Sequence, residues 1–503
     1  MRRLSTLTMF ALLAAATPAA AADEIHWTHT GPTSVTFDWR GPDSTLAYGA
    51  SPTYDSIVTA SPPVPLPFSS AGPFWEAKLT GLLPGTSYHY SVGGGPDHEF
   101  HTPPPAPATF TVFVEGDVGD TAKFARVGPV QALIAGGAPD LVLVTGDLTY
   151  ADDNGQACVD DHFNNVMKWS QDTAYMPAWG NHDWSNADTL DDLRNYKGRF
   201  DLPNPQTSPG APAAGCCGED WCWFDYGQVR FISYPEPYHY AAWADWFAKA
   251  LPLMDEAQSN PAIRYIVTFG HRPAYSSGYH PGDATLRGYL DSLGTTHGKY
   301  VLNLNAHSHG YERSFPQHGV THITVGIGGA SLEEMAGACP WSSCPPPDWS
   351  AFRAFHHGAL RLVFAPGSIR GDAICGPAGD AGSNRNDIQC DFGRPFDSFV
   401  IGEALLIRRP PRRFAGRFGL ELARALPSAR AIEIEYMLAA GDAARLELVD
   451  VAGRVMMRRD LGEPGAGSHR TTLEVGGRTP SGIYLVRLTE SGRSATAKVA
   501  LLR

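Results

Sequence analysis

Two histidines stand one residue apart in Asn303-Leu304-Asn305-Ala306-His307-Ser308-His309-Gly310-Tyr311-Glu312-Arg313, directly after the apolar run Tyr300-Val301-Leu302. Leaving a strand end, such a pair can present imidazoles to two different metal ions; within an extended segment it can equally lie on one sheet face. Four other stretches favour the first reading, because each also runs from a short apolar segment into a residue able to bind metal. They are Val114-Glu115-Gly116-Asp117, Val144-Thr145-Gly146-Asp147, Trp179-Gly180-Asn181-His182 and Thr268-Phe269-Gly270-His271. With Tyr150 just beyond Asp147, they offer carboxylate, amide, imidazole and phenolate donors, a thiolate-free set suited to Fe, Zn or Mn. One carboxylate shared by two ions about 3.5 to 4 Å apart suits phosphoryl displacement. Negative charge developing on phosphoryl oxygens would meet fixed positive charge instead of water.

These residues need a scaffold of strand ends. Phe110-Thr111-Val112-Phe113-Val114 reads as a buried strand, Phe124, Val127, Val130, Leu133 and Ile134 share a helical face, and Leu141-Val142-Leu143-Val144 is the next strand. This is a βαβ unit. Helical periodicity returns at Trp243, Trp246, Phe247, Ala250 and Leu251, and again at Leu286, Tyr289, Leu290 and Leu293. Each polar residue above then falls at the carboxyl end of a strand, where open α/β sheets place their ligands.

The flanks read differently. From Glu24 to about Pro103, Trp27, Val35, Phe37, Trp39, Leu79, Leu82, Tyr88, Tyr90 and Val92 alternate as in an all-β module, read as a rigid spacer. Thr102-Pro103-Pro104-Pro105-Ala106-Pro107 reads as a stiff linker after it. Arg408-Arg409-Pro410-Pro411-Arg412-Arg413 opens a second linker over 408–428, and short alternating segments over 429–503 form another β-sandwich. Asp450-Val451-Ala452-Gly453-Arg454 and Pro480-Ser481-Gly482-Ile483-Tyr484 resemble C-terminal sorting domains of bacterial proteins, implying outer-membrane secretion machinery as a partner.

A length of 503 residues with 43% hydrophobic and 11% aromatic content gives about three globular domains. The net charge of -13 excludes a general nucleic-acid binder but not a small phosphorylated substrate held by cations. Arg2 and Arg3, the apolar run from Leu7 to Ala16, and Ala20-Ala21-Ala22 have the layout of a cleaved signal peptide, residues 1–22. That run is too short to span a membrane, and no later segment is long enough. The expected location is therefore outside the cytoplasm: extracellular, at the cell surface or periplasmic. Export makes the eight cysteines readable as disulfides, with Cys339–Cys344 and Cys375–Cys390 the expected pairs. The rival reading is a thiolate metal site at Cys216, Cys217 and Cys222, disfavoured because no Cys-x-x-Cys accompanies them.

Asp117-Val118-Gly119, Gly146-Asp147-Leu148-Thr149-Tyr150, Gly180-Asn181-His182-Asp183, Gly270-His271-Arg272-Pro273 and Ala306-His307-Ser308-His309-Gly310-Tyr311-Glu312-Arg313 resemble the five ordered blocks of purple acid phosphatases. These are members of the calcineurin-like metallophosphoesterases. The likeness runs over roughly 24–402 and includes a preceding fibronectin type III-like domain. It implies a multidomain chain: that domain at 23–103, an α/β metallophosphoesterase core in an α/β/β/α sandwich at 104–407, and the C-terminal Ig-like sandwich. By matched position, Asp117, Tyr150 and His309 would hold Fe(III), Asp147 would bridge, and Asn181, His271 and His307 would complete a site for divalent Zn, Fe or Mn. His182 and His280 match histidines that meet substrate phosphate and assist the leaving group. The implied activity is hydrolysis of phosphate monoesters, a hydroxide at the metal pair attacking phosphorus.

Two positions depart from the family pattern. Pro281 stands where plant-type members often carry a second histidine, which leaves the general acid open, and Asp183 replaces a more usual glutamate. Other histidines, including His162, His297, His356 and His357, lack supporting spacing and read as structural. A phosphodiesterase uses nearly the same metal shell, and the rim loops near 205–222 and 331–350 would discriminate. A silent surface or adhesion protein is the reading from another class, opposed by the complete ligand set. Dimerisation stays open.

Overall fold

The computed structural model describes residues 21–184, 193–210, 218–379, 388–402, 418–426, 431–440, 442–450, 453–465, 467–475, 479–480 and 482–501. Most of the expected signal peptide, Cys216 and Cys217, and the Arg408–Arg413 linker lie outside these residues. The chain divides into two compact units, Met1–Leu405 and Leu406–Arg503.

Seven strands open the first unit: β1 (Asp23–Gly31), β2 (Ser34–Arg40), β3 (Thr45–Gly49), β4 (Ser56–Thr59), β5 (Phe74–Leu79), β6 (Ser87–Val92) and β7 (His98–His101). They pair as a three-stranded sheet, β1-β2-β5, and a four-stranded sheet, β4-β3-β6-β7. Val35, Phe37 and Trp39 of β2 are buried as their alternation predicts, but so are Thr36 and Asp38 between them. A strand buried on both faces is covered twice, here by the partner sheet and by the α/β core. Trp27 Nε1 and Tyr90 OH both donate to Gln171 O (3.1 and 2.6 Å), Ser170 Oγ donates to Ile25 O (2.9 Å), and Arg199 Nε reaches Glu24 Oε2 at 2.8 Å. The spacer reading is therefore corrected. The sandwich is fused to the core, and Thr102 is tied back to it by Thr102 N donating to Thr86 O at 3.1 Å.

The core begins with β8 (Phe110–Glu115), α1 (Val127–Gly136), β9 (Leu141–Thr145), α2 (Ala151–Asn154), α3 (Ala157–Ser170), β10 (Ala174–Ala178) and a 3-10 turn at Asn181–Asp183. It continues through α4 (Leu193–Lys197), β11 (Trp223–Tyr226), β12 (Val229–Ser233), α5 (Ala242–Ser259), β13 (Tyr265–Phe269), α6 (Ala284–Thr296) and β14 (Tyr300–Asn305). β15 (Tyr311–Ser314), β16 (Thr321–Val325), β17 (Ser350–Ala354), β18 (Gly358–Ala365), β19 (Ser368–Cys375) and β20 (Pro395–Gly402) complete it. The sheet orders are β10-β9-β8-β18-β19-β20 and β11-β12-β13-β14-β16-β15-β17, with β8, β9 and β10 parallel, as are β12, β13, β14 and β16.

The period of two explains the layers. Val112 and Val114 of β8 and Leu141 and Leu143 of β9 pack between the sheets with Phe231, Val267, Leu302 and Ile323. Phe113, Val142 and Val144 point the other way, beneath Val127, Val130, Ile134, Phe163 and Val166 of α1 and α3. On the second sheet Ile232 and Ile266 meet Trp246, Ala250, Leu286, Leu290 and Leu293 of α5 and α6. The result is the expected α/β/β/α sandwich. Cys339–Cys344 and Cys375–Cys390 are bonded as expected, while Cys158 and Cys222 are free and buried.

The second unit is a sandwich of β21 (Gly419–Leu426), β22 (Ala431–Leu438), β23 (Ala444–Asp450), β24 (Val455–Gly462), β25 (Gly467–Glu474), β26 (Gly482–Glu490) and β27 (Arg493–Leu501). Its sheets are β21-β22-β25 and β24-β23-β26-β27, closing on Ile432, Ile434, Tyr436, Leu446, Leu448, Tyr484, Val486 and Leu488. β21 lies inside the stretch 408–428 that the prolines and arginines mark as linker, so the sandwich begins about ten residues earlier.

Candidate metal centre

All five motifs sit where parallel strands end. Asp117 follows β8, Asp147 and Tyr150 follow β9, Asn181 and His182 form the 3-10 turn after β10, His271 follows β13, and His307 and His309 follow β14. Parallel strands in register bring their carboxyl ends together, so side chains from five motifs reach one cleft.

The donor atoms form two groups with Asp147 in both: Asp147 with His271 and His307, and Asp147 with Asp117 and His309, each set within 4.8 Å. In the first, His271 Nε2 lies 3.2 Å from Asp147 Oδ2, 3.2 Å from Asn181 Oδ1 and 3.1 Å from His307 Nδ1. In the second, His309 Nε2 lies 3.6 Å from Asp117 Oδ1 and 3.2 Å from the Tyr150 hydroxyl. The backbone is held in an uncommon conformation at three of these residues: φ is +53° at Asp117, +49° at Asp147 and +67° at His307. Such strain persists only where surrounding structure over-determines it, and it gathers at ligand clamps. Gly146 (φ +89°) and Gly180 allow the approach, since a Cβ on Gly180 would stand 2.1 Å from Asp147 Oδ1.

Both oxygens of Asp117 and Oδ2 of Asp147 are buried without a hydrogen-bond partner. A buried carboxylate left so costs several kcal/mol unless a cation meets it. Burial pushes the Asp117 carboxyl up to about 6 against the pull of His309 and His271. Burial also opposes charge on Asp147, yet His271, His182 and His307 outweigh it and hold that carboxyl below the usual range. Tyr150 is raised by burial and by Asp117 and Asp147. Two of the three imidazoles are oriented from behind, because His271 Nδ1 donates to Thr145 O (3.0 Å) and His309 Nδ1 to Ser331 O (2.7 Å), leaving Nε2 free on each. Orphaned oxygens, preset tautomers and a mixed O/N donor set fit a pair of hard or borderline cations.

His182 and His280 stand beside this cluster, both partly exposed. His182 Nδ1 is 2.8 Å from Asp152 Oδ2 and its backbone N donates to Asp147 Oδ1 at 2.9 Å. Burial disfavours the charged ring, but the Asp152 hydrogen bond and the charges of Asp147, Asp152 and Asp153 hold it up at about 9. His280 stacks on His307 with ring centroids 4.2 Å apart, and its Nε2 is 3.2 Å from Glu333 Oε2. Asp183 lies behind the ligands, accepting from Gly180 N at 2.8 Å and Leu148 N at 3.0 Å, so it ties two ligand loops together.

Asp152, Glu333, Arg272 and Glu236 escaped the sequence reading. Asp152 had a signal, two positions beyond the motif that ends at Tyr150; Arg272 was inside a quoted motif without a role; Glu236 and Glu333 had none. His162 and His297 behave structurally: His162 meets Gly119 O (3.2 Å) and Tyr175 OH (3.0 Å), and His297 meets Leu293 O (2.9 Å).

Residues 110–311 match the calcineurin-like phosphoesterase family, which makes the chain a metallophosphoesterase hydrolase. The human protein "Acid phosphatase type 7" is 28% identical over 419 residues, covering 70% of this chain and 86% of its own length. "Purple acid phosphatase 18" of Arabidopsis thaliana is 27% identical over 342 residues, 64% of this chain and 70% of its own. In fold, the purple acid phosphatase PPD1 of yellow lupin seeds superposes with a TM-score of 0.58 at 20% identity, covering 77% of this chain and 75% of that one. The chain thus carries a calcineurin-like metallophosphoesterase domain, is similar to purple acid phosphatases, and has candidate ligand groups for a dinuclear centre.

Proposed function

We propose that the protein is an exported acid phosphatase for monoesters, with Fe(III) held by Asp117, Tyr150 and His309, a divalent Zn, Fe or Mn held by Asn181, His271 and His307, and Asp147 shared. The observation that carries this reading is the pair of buried donor groups meeting at Asp147, with a tyrosine on one side. Bound there, the ions would supply Lewis-acid polarisation of the phosphate and a water acidic enough to act near neutral pH. The chain's own residues do the rest. His182, carrying its proton below about pH 9 through Asp152, offers a donor to a phosphate oxygen. His280, on the opposite ligand ring and partnered by Glu333, delivers a proton to the leaving alcohol.

Hydrolysis of an aryl phosphate monoester and its matching diester, from acidic to alkaline pH, tests the assignment. Monoester preference with an acid optimum is expected; faster diester hydrolysis would move the protein to the phosphodiesterases. If neither turns over with iron bound, the catalytic reading fails and the silent surface protein stands. Tyr150→Phe is expected to bleach visible absorbance while iron stays bound, and unchanged colour would remove Tyr150 from the iron shell. Export is supported by the two disulfides and the signal-like start, and secretion of a tagged full-length chain tests it.

A further inference from the structure

His280 stands on a stretch, 273–283, that has neither helix nor strand to hold it. Its ring is placed from outside, by stacking on His307 and by Glu333. The backbone beneath it is fixed at Ser277, a buried residue three positions earlier. Ser277 N and Ser277 Oγ both donate to Glu312, to Oε2 and Oε1 respectively, at 2.6 Å each. Ser277 O accepts from Ser342 N at 2.8 Å and from Ser342 Oγ at 2.9 Å, and Arg353 Nη1 donates to Ser277 Oγ at 2.9 Å. One residue further on, Gly278 lies against the turn between the two ligand histidines. A Cβ there would stand 2.0 Å from Ser308 Oγ.

Glu312 is itself rigidly held. It is buried on β15, the strand that leaves the His307–His309 turn, and its Oε1 accepts a further hydrogen bond from Ser350 Oγ at 2.6 Å. Hydrogen bonds to an ionised carboxylate are short and roughly twice as strong as neutral ones. Opposite Glu312 on β17 is Arg353, whose Nη2 donates to Ser343 O at 2.9 Å and whose guanidinium covers the Trp341 ring. Trp341, Ser342 and Ser343 lie inside the loop closed by Cys339–Cys344, and the segment leading into that loop carries Glu333. A single strand thus frames the metal ligands at its start and, through Glu312, the stretch that bears His280. A proton donor must stand within hydrogen-bond reach of the leaving oxygen, and a misplacement of about 1 Å can cost about a hundredfold in rate.

We propose that Glu312 is the positioning residue for His280: acting through Ser277, its carboxylate sets where the proton donor stands over the leaving group. This rests on the phosphatase reading with His280 as its acid. An alkoxide leaves only with a proton, whereas 4-nitrophenolate leaves nearly unaided, so the two kinds of ester report on the acid separately. Turnover of ethyl phosphate and of 4-nitrophenyl phosphate is measured for the metal-loaded native protein, Glu312→Leu and Glu312→Gln, per mole of bound metal. Glu312→Leu should lower kcat for ethyl phosphate by about a hundredfold, with a far smaller loss for the aryl ester. Glu312→Gln should recover most of the ethyl phosphate rate, because its amide oxygen accepts from Ser277 N while its NH2 donates to the two serine hydroxyls. Equal loss on both esters, or no loss, overturns the proposal, since a residue that only supports the fold lowers both alike. If Glu312→Leu does not fold, Ser277→Ala decides by the same ratio, as it removes the hydroxyl bonds to Glu312 and Arg353 and keeps those of the backbone. A native protein that hydrolyses the aryl ester but not ethyl phosphate has no working acid to position, and overturns the proposal while the phosphatase reading stands. Turnover of neither ester strikes the phosphatase reading and this proposal with it.

Discussion

Two clusters of buried charge among the described residues of the first unit are finished differently. At the seam between the N-terminal sandwich and the core, Arg199 is buried with Glu24 at 2.8 Å and Asp160 at 2.8 Å, donates to Asn195 O at 2.8 Å, and Arg40 adds a 3.1 Å contact to Glu24. At the metal centre both Asp117 oxygens and Asp147 Oδ2 are buried without a hydrogen-bond partner, faced only by ligand imidazoles, His309 at 3.6 Å and His271 at 3.2 Å. Charge that the chain answers itself joins domains; charge that it leaves unanswered waits for a ligand. Asp38 at the seam marks the boundary of this rule, since both its oxygens also lack partners. Burial, together with Glu76, Asp201 and Glu219, pushes its carboxyl well above the usual range and so disfavours the charge there.

The largest effect that would break this comparison is at the shared carboxylate. Asp147→Asn should lose bound metal and slow turnover by about a thousandfold or more, the worth of several kcal/mol of metal-assisted stabilisation. Retention of metal and of turnover in this variant would remove Asp147 from the shared position. Arg199→Met should do the reverse, costing about 3 to 5 kcal/mol of stability by leaving buried acids unpaired, with turnover per folded molecule kept. Equal loss of activity and stability there would mean that the seam sets the site's geometry.

A smaller effect separates the two regions by pH. His162, on α3 beneath the seam, is lowered from 6.5 to about 4 by burial. Its unfolded form takes up a proton first as pH falls, so stability is constant above pH 6.5, declines between 6.5 and 4, and levels off below. The total is on the order of 3 kcal/mol. Urea denaturation at pH 7 and pH 4.5 should show a shallower fall for His162→Gln than for the native protein; parallel slopes would remove His162 from the account. An acid optimum for the enzyme would then be reached on the falling limb of this contribution.

Much of the catalytic core was legible because strand periodicity and strand-end polar residues are local signals. Val112 and Val114 alternate with Phe113 in the chain as they do across the sheet, and the ligands follow each strand within a few positions. The seam was not legible. Thr36, Asp38, His26 and Thr28 are polar residues on strands, which by pattern face water, and only the apposed core buries them. The start of the C-terminal sandwich was missed for a related reason: β21 follows a proline- and arginine-rich run whose composition outweighs a short strand.

By itself the sequence determined which donor atoms exist, which strand each follows and, through family resemblance, the role each would take. These are properties of residue type and near-neighbour spacing. Tertiary structure alone decided that Asp152 holds His182, that Glu333 faces His280, and that Arg272 occupies the place behind His307 where the other ligands have a carbonyl. Arg272 and His307 are 35 positions apart and Tyr150 and His309 are 159 apart, so their meeting depends on which strands lie side by side. No local pattern encodes that order, because pairing between distant strands is settled by packing of the whole sheet.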